Sequence, residues 1–271
     1  MSNRLKSHKV LLSLTFLLAI TIYFSYWIFF ENYSSGMVKN HNDGIIKSEA
    51  TARVAMSQQE LRLQLDELTK PLHTLGPINS ILVNQHGELV AEQYFGSMNA
   101  NRGHNIKSAS KSLLSILVGI AIDKGYLEGV HQPIGEFFPE YFQNNPDSLK
   151  AAITIEDLLT MRSGLASTSR ANYGRWVSSS NWIRYALDRP LQGTPGIDRI
   201  YSTGNTHLLA VILHRATGMN TLHFANRYLF GPMDIRLAGW DRDPQGYFLG
   251  GNNMAMRPRD LVKIGRLMMD V

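Results

Sequence analysis

The hydrophobic and polar positions of this chain fall into three regimes. From Val10 to Phe30 the chain is apolar and uncharged throughout (VLLSLTFLLAITIYFSYWIFF). Twenty-one helical residues at about 1.5 Å each span about 30 Å, the thickness of a bilayer core. The pattern therefore predicts a transmembrane anchor over 10–30 behind a basic flank, 1–9; the alternative, a cleaved signal peptide, would have a shorter apolar region followed by a small-x-small site. Residues 31–56 are polar and aperiodic and read as a linker. Amphipathic order begins at 57. Ser57-x-x-Glu60 has the form of a capping box, and Leu61, Leu65 and Leu68 share one helical face. Pro71 and Gly76-Pro77 stop that helix. Two strand-like runs follow, Ser80 to Gln85 and Glu88 to Phe95, hinged at His86-Gly87.

Helical spacing then dominates. Leu113, Leu114, Leu117, Ile120 and Ala121 mark a buried helix from about Ser108 to Lys124, stopped by Gly125. Further helices are predicted at 154–161, 181–188, 204–217 and from Pro258 to Val271, separated by loops rich in Gly, Pro and Ser. A two-stranded hairpin cannot alone cover so much apolar helix. The sheet is therefore expected to lack strands beyond Val271.

Charge adds a direction to the anchor. Without Arg4, Lys6 and Lys9, the balance of 27 basic and 22 acidic side chains falls from +5 to +2. The basic flank keeps the N-terminus in the cytoplasm and exports the domain, so the expected location is the inner membrane, single-pass. The residual balance does not indicate a nucleic-acid partner. A chain without cysteine has no disulfide, no thiol nucleophile and no zinc–thiolate site. Among the nine histidines, His207 and His214 are too far apart on their helix to share an ion, and no His-Glu-x-x-His occurs, so no metal or other cofactor is expected.

The candidate chemistry is serine acylation without histidine. Ser108-Ala109-Ser110-Lys111 places a lysine one helical turn from a serine hydroxyl, which is a weak nucleophile until a base activates it. The helix N-terminus would favour both an alkoxide at Ser108 and a neutral Lys111 amine. Tyr201-Ser202-Thr203 would complete a proton relay. A Ser-x-x-Lys tetrad alone is a common accident, and serine is also a favoured helix cap. No Gly-x-Ser-x-Gly elbow is present. Tyr173, Trp176 and Trp182, before Tyr201, read equally as pocket lining, as core packing or as a surface lid.

Several phrases raise the odds: GYLEG at 125–129, ITIEDLLTMRSGL at 153–165, PGIDRIYSTGNTHLLAVILHRATG at 195–218 and GGNNMAMRPRDLVKIGRLM at 250–268. In that order they resemble the serine β-lactamase and penicillin-binding-protein superfamily, particularly its class C-like serine hydrolases, over roughly 57–271. The resemblance implies an α/β (α+β) domain, an antiparallel sheet flanked by helices plus a mostly helical subdomain. It also implies roles: Ser108 as nucleophile, Lys111 as its activating partner and Tyr201 as general base, passing the proton to the leaving group. Thr203 stands where the family often has asparagine, and Asn205 matches a second asparagine; with Trp182 they are the substrate-binding candidates.

The family's third motif, Lys or His then x then Gly, is missing from its strand. Lys263-Ile264-Gly265 has the letters but a helical period. The resemblance therefore implies a C-terminally truncated member or one half of a split gene. The implied substrate is an ester, amide or lactam. The competing expectation is an inert binding protein of the same fold, and a third is completion by a separate C-terminal polypeptide.

Overall fold

In the computed structural model, residues 58–69, 78–85 and 87–269 are described. The anchor over 10–30 and the linker over 31–56 lie outside them. Among the described residues no helix is long and apolar enough to cross a membrane. The first elements follow the sequence pattern: helix α1 (Gln58–Thr69), then strands β1 (Ser80–Gln85) and β2 (Glu88–Tyr94). β1 and β2 pair antiparallel, Ser80 opposite Tyr94, with a register shift between Val83 and Asn84. Gly87 turns the hairpin at φ +85°, a left-handed conformation that favours glycine.

Strand β3 (His104–Asn105) leads through a short 3₁₀ turn into helix α2 (Ser110–Asp123). After Gly125, at φ +71°, come four short helices: α3 (Pro139–Asn144), α4 (Ser148–Ala151), α5 (Ile155–Leu159) and α6 (Tyr173–Val177). Thr154 and Asp157 form a reciprocal capping box at the start of α5. Helix α7 (Trp182–Leu187) precedes the long helix α8 (Thr203–Thr217), which is followed by α9 (Thr221–Ala225), β4 (Gly239–Trp240), β5 (Met254–Met256) and α10 (Pro258–Leu267). Lys263-Ile264-Gly265 lies within α10, as its period predicts.

The core sits where α2 and α8 cross, with α5 and α7 packed on α8. Leu113, Leu114, Leu117, Val118 and Ala121 of α2 are buried, as is every residue of α8 from Thr203 to Leu213. Leu117, fully buried, is at the centre. Leu117→Ala is expected to lower the unfolding free energy by about 2–5 kcal/mol, read from urea denaturation. A loss below about 1 kcal/mol would mean that this contact collapses freely.

A second antiparallel sheet, order β3-β5-β4, goes beyond the sequence reading. Its strands have two or three residues, too few for alternation to be legible. On the hairpin, Arg259 of α10 forms a two-pronged ion pair with Glu92 of β2, and Arg266 donates to the Gly87 carbonyl at 3.1 Å. This second sheet positions the site, because the turn leading into β5 lies against α2.

Candidate active site

The backbone around Ser108 is bent by identifiable contacts. Ile106 N–H donates to Met254 O at 2.9 Å, extending the β3–β5 pairing by one residue. Lys107 then turns left-handed, at φ +51°. Its N–H donates to Asn105 Oδ1 at 2.8 Å, and its carbonyl accepts from Ser110 Oγ at 2.8 Å. Ser108 is thereby lifted, exposed, into the 3₁₀ turn Lys107–Ala109. This corrects one expectation: the regular helix starts at Ser110, so Ser108 stands just ahead of it.

Three of the sequence candidates converge. Lys111 Nζ lies 3.2 Å from Ser108 Oγ and donates to the Gly251 carbonyl at 2.5 Å. Tyr201 Oη donates to Ser108 Oγ at 2.9 Å. The Lys111 amine also lies 5.2 Å from the centre of the Tyr201 ring. Burial pushes the Lys111 pKa down to about 8, because a low-dielectric surrounding disfavours the ammonium. The amine can thus lose its proton close to neutral pH while remaining within reach of a hydroxyl.

Tyr201 is held by the Ser/Thr-rich loop after α5. Ser167 Oγ donates to the Tyr201 carbonyl at 2.7 Å. Thr203 N–H donates to Ser169 Oγ at 2.8 Å, and Gly204 N–H to Thr168 Oγ1 at 2.7 Å. Those two hydroxyls satisfy N–H groups that the first turn of α8 would otherwise leave unpaired. Gly204 allows the approach, since a Cβ there would lie 2.9 Å from Thr168 Oγ1.

The three substrate-binding candidates are held by other contacts. The Thr203 hydroxyl hydrogen-bonds with Ser169 Oγ at 2.9 Å, in the loop network rather than with Lys111. Asn205 is buried, and its Oδ1 accepts from Ser163 Oγ at 3.1 Å. Trp182 is buried with Trp176 and Leu249, its indole N–H donating to Val177 O at 3.2 Å. Of its three readings, core packing is the one the structure adopts. Among the described residues no group of His, Cys, Asp or Glu could hold a metal ion.

Residues that the sequence reading did not single out frame the site instead. Gly251 supplies the carbonyl on Lys111. A Cβ at Gly251 would lie 3.0 Å from Lys111 Nζ, and one at Gly250 would lie 2.0 Å from the Thr206 carbonyl. Asn253, left-handed at φ +53°, accepts from Asn105 Nδ2 at 2.9 Å and donates to Asp241 at 2.9 Å. Asn252 donates to Tyr173 Oη at 3.0 Å. The available signal was the run Gly250-Gly251-Asn252-Asn253, whose residue types favour tight or left-handed backbone.

The fold has solved counterparts. FmtA from Staphylococcus aureus superposes with a TM-score of 0.62 at 17% identity, covering 76% of this chain and 64% of that one. A class C beta-lactamase variant gives 0.61 at 17% identity, covering 78% and 65%. In sequence, the 6-aminohexanoate-dimer hydrolase of Paenarthrobacter ureafaciens is 28% identical over 204 residues, 71% of this chain. The chain spans 52% of the length of that relative. Residues 78–262 match the family model described as Beta-lactamase, a stretch that runs from the hairpin through the Ser108, Tyr201 and Gly251 segments into α10. With fold, order of segments and family match in agreement, this chain belongs to the Beta-lactamase family.

Proposed function

We propose that the chain is a serine hydrolase working through an acyl-enzyme on Ser108. The observation that carries this reading is the convergence of Lys111 Nζ and Tyr201 Oη on one hydroxyl oxygen, at 3.2 and 2.9 Å. In the first step Ser108 Oγ attacks a carbonyl carbon, and its proton passes to the Lys111–Tyr201 pair. The tetrahedral adduct collapses as Tyr201 delivers a proton to the leaving nitrogen or oxygen. Water, deprotonated by the same pair, then attacks the ester on Ser108 and releases the acid. Esters, lactams and short linear amides are the substrate classes. The name of the 28%-identical relative makes the linear amide of a short amino acid the first substrate to test. The apolar run over 10–30 and its basic flank support an inner-membrane, extracytoplasmic setting for this chemistry.

The test is intact mass of the full chain after exposure to a fluorophosphonate, with fragmentation to locate the adduct. A single adduct on Ser108 is expected. A folded sample that takes none would leave an inert member of the fold, and an adduct on another residue would remove Ser108 as the nucleophile.

The rate of that labelling carries a pH prediction. A lowered lysine pKa means that the folded protein releases the proton more easily. With a value of about 8, roughly one amine in ten is neutral at pH 7, against about one in three thousand at the ordinary value. Labelling is expected to rise with pH and to level off above a midpoint near 8. A rate independent of pH between 6 and 9 would remove Lys111 from the proton transfer.

A further inference from the structure

Behind the Gly250-Gly251 turn lies a buried pair that the proposed chemistry does not use. His207 Nε2 is 2.9 Å from Asp243 Oδ2, and both side chains are fully buried. Asp243 Oδ1 accepts from the backbone N–H groups of Gln245, at 2.9 Å, and Tyr247, at 2.8 Å. The carboxylate is therefore satisfied on one oxygen by the backbone and on the other by the imidazole. The indoles of Trp176 and Trp182 stand edge-on to the imidazole, with centroids 5.6 and 5.7 Å away. On the other side of the ring, Gly250 N–H points at His207 Nδ1 across 3.5 Å. A group that receives an N–H at Nδ1 carries its own proton at Nε2, where the carboxylate accepts it.

The next residue holds the lysine. Gly251 O accepts from Lys111 Nζ at 2.5 Å, and Gly251 N–H donates to Leu249 O at 3.0 Å. The turn has little freedom to adjust, because the Gly250 backbone is pressed onto Thr206 and His207 in the first turns of α8. We infer that His207 and Asp243 are positioning residues: Asp243 fixes the imidazole tautomer, the imidazole fixes the Gly250-Gly251 turn, and the turn fixes the Lys111 amine beside Ser108. This inference rests on the Ser108–Lys111 reading above and extends it inward by two residues.

The same geometry would also serve as a mere clasp between α8 and the loop before β5. Asp243→Asn separates the two roles. Its amide oxygen is expected to take the Gln245 and Tyr247 N–H groups, which turns its NH₂ toward His207 Nε2. The imidazole proton then moves to Nδ1, where it opposes Gly250 N–H and pushes the turn away. His207→Gln reaches the same end by another route, since its Nε2 can still donate to Asp243 but it places no acceptor where Nδ1 receives the Gly250 N–H.

The experiment uses the full chain with a fluorophosphonate as probe. It compares the labelling rate at Ser108, its pH profile, the melting temperature and imidazole ¹H–¹⁵N correlation spectra. The wild-type spectrum is expected to show His207 protonated at Nε2 alone. Each variant is expected to label about tenfold more slowly or worse. The midpoint should rise above the wild-type value near 8 as the loosened amine meets water.

A variant that loses melting temperature but keeps the wild-type rate and midpoint would overturn the inference and leave a clasp. So would a wild-type imidazole protonated at Nδ1 or at both nitrogens, which decides the matter even if neither variant folds. Failure of the wild-type chain to label at Ser108 would instead remove the reading on which the inference stands.

Discussion

Ser108→Ala is expected to abolish fluorophosphonate labelling, and Lys111→Met to slow it by about a thousandfold. The nearest serine in sequence is not placed to take over. Ser110, two residues on, is buried and donates its hydroxyl to the Lys107 carbonyl. Methionine is close to lysine in length and suits a buried position, so the packing of α2 is retained. What goes is the proton acceptor 3.2 Å from Ser108 Oγ and the N–H that Gly251 O receives. The rise of the labelling rate through pH 8 should vanish with it, because the group titrating there has been deleted. Tyr201 would remain 2.9 Å from the hydroxyl and sustain a slow residual reaction. Lys111→Met labelling within a few-fold of wild type, on a folded sample, would assign the activation of Ser108 to Tyr201 alone.

How much of this was legible in the sequence differs by element, and the differences have physical causes. Helix α2 was readable because Leu113, Leu114, Leu117 and Ala121 repeat at helical spacing and face one core. The hairpin was readable from two strand-like runs closed by Gly87. Ser108, Lys111 and Tyr201 could be named as candidates from their spacing and from the order of the phrases around them, and their side chains lie together in the structure. Their meeting is now a set of distances.

Thr203 and Asn205 were not placed by the same reasoning, although they lie only two and four residues beyond Tyr201. The direction of a side chain in the first turn of a helix depends on what caps that turn. Here the caps are Thr168 and Ser169, some 34 residues away in the chain. Trp182 illustrates another ambiguity, since an indole suits a pocket wall and a core equally well. Burial against Trp176 and Leu249 decides it. The second sheet was invisible for a different reason: strands of two and three residues carry no period, and β3 and β5 lie about 150 residues apart. With that sheet unseen, the carbonyl that holds the lysine could not be seen either.

Gly251→Ala tests the seating of Lys111 at that turn, and its effect on rate is expected to be about a hundredfold. The added methyl would lie 2.2 Å from Thr206 Oγ1, 3.0 Å from Lys111 Nζ and 3.1 Å from Lys111 Cγ. Contacts that short force something to move. Thr206 is buried near the start of α8 and its hydroxyl donates to the Thr203 carbonyl at 3.0 Å, so a β-branched side chain has few rotamers into which to retreat. The lysine chain and the turn take up the rest, and a displacement of about 1 Å at a reacting group is enough for a hundredfold loss. Overpacking of this kind also costs about 1–3 kcal/mol of stability.

Rate and stability can be separated by a second substitution. Thr206→Ala removes the hydroxyl nearest to the new methyl, so Gly251→Ala combined with Thr206→Ala should recover most of the stability in urea denaturation. It should recover only part of the labelling rate, because the contact with the lysine amine persists. Full recovery of both would mean that the methyl acts solely through Thr206. The 3.0 Å approach of the methyl to the lysine amine would then be absorbed without displacing Lys111.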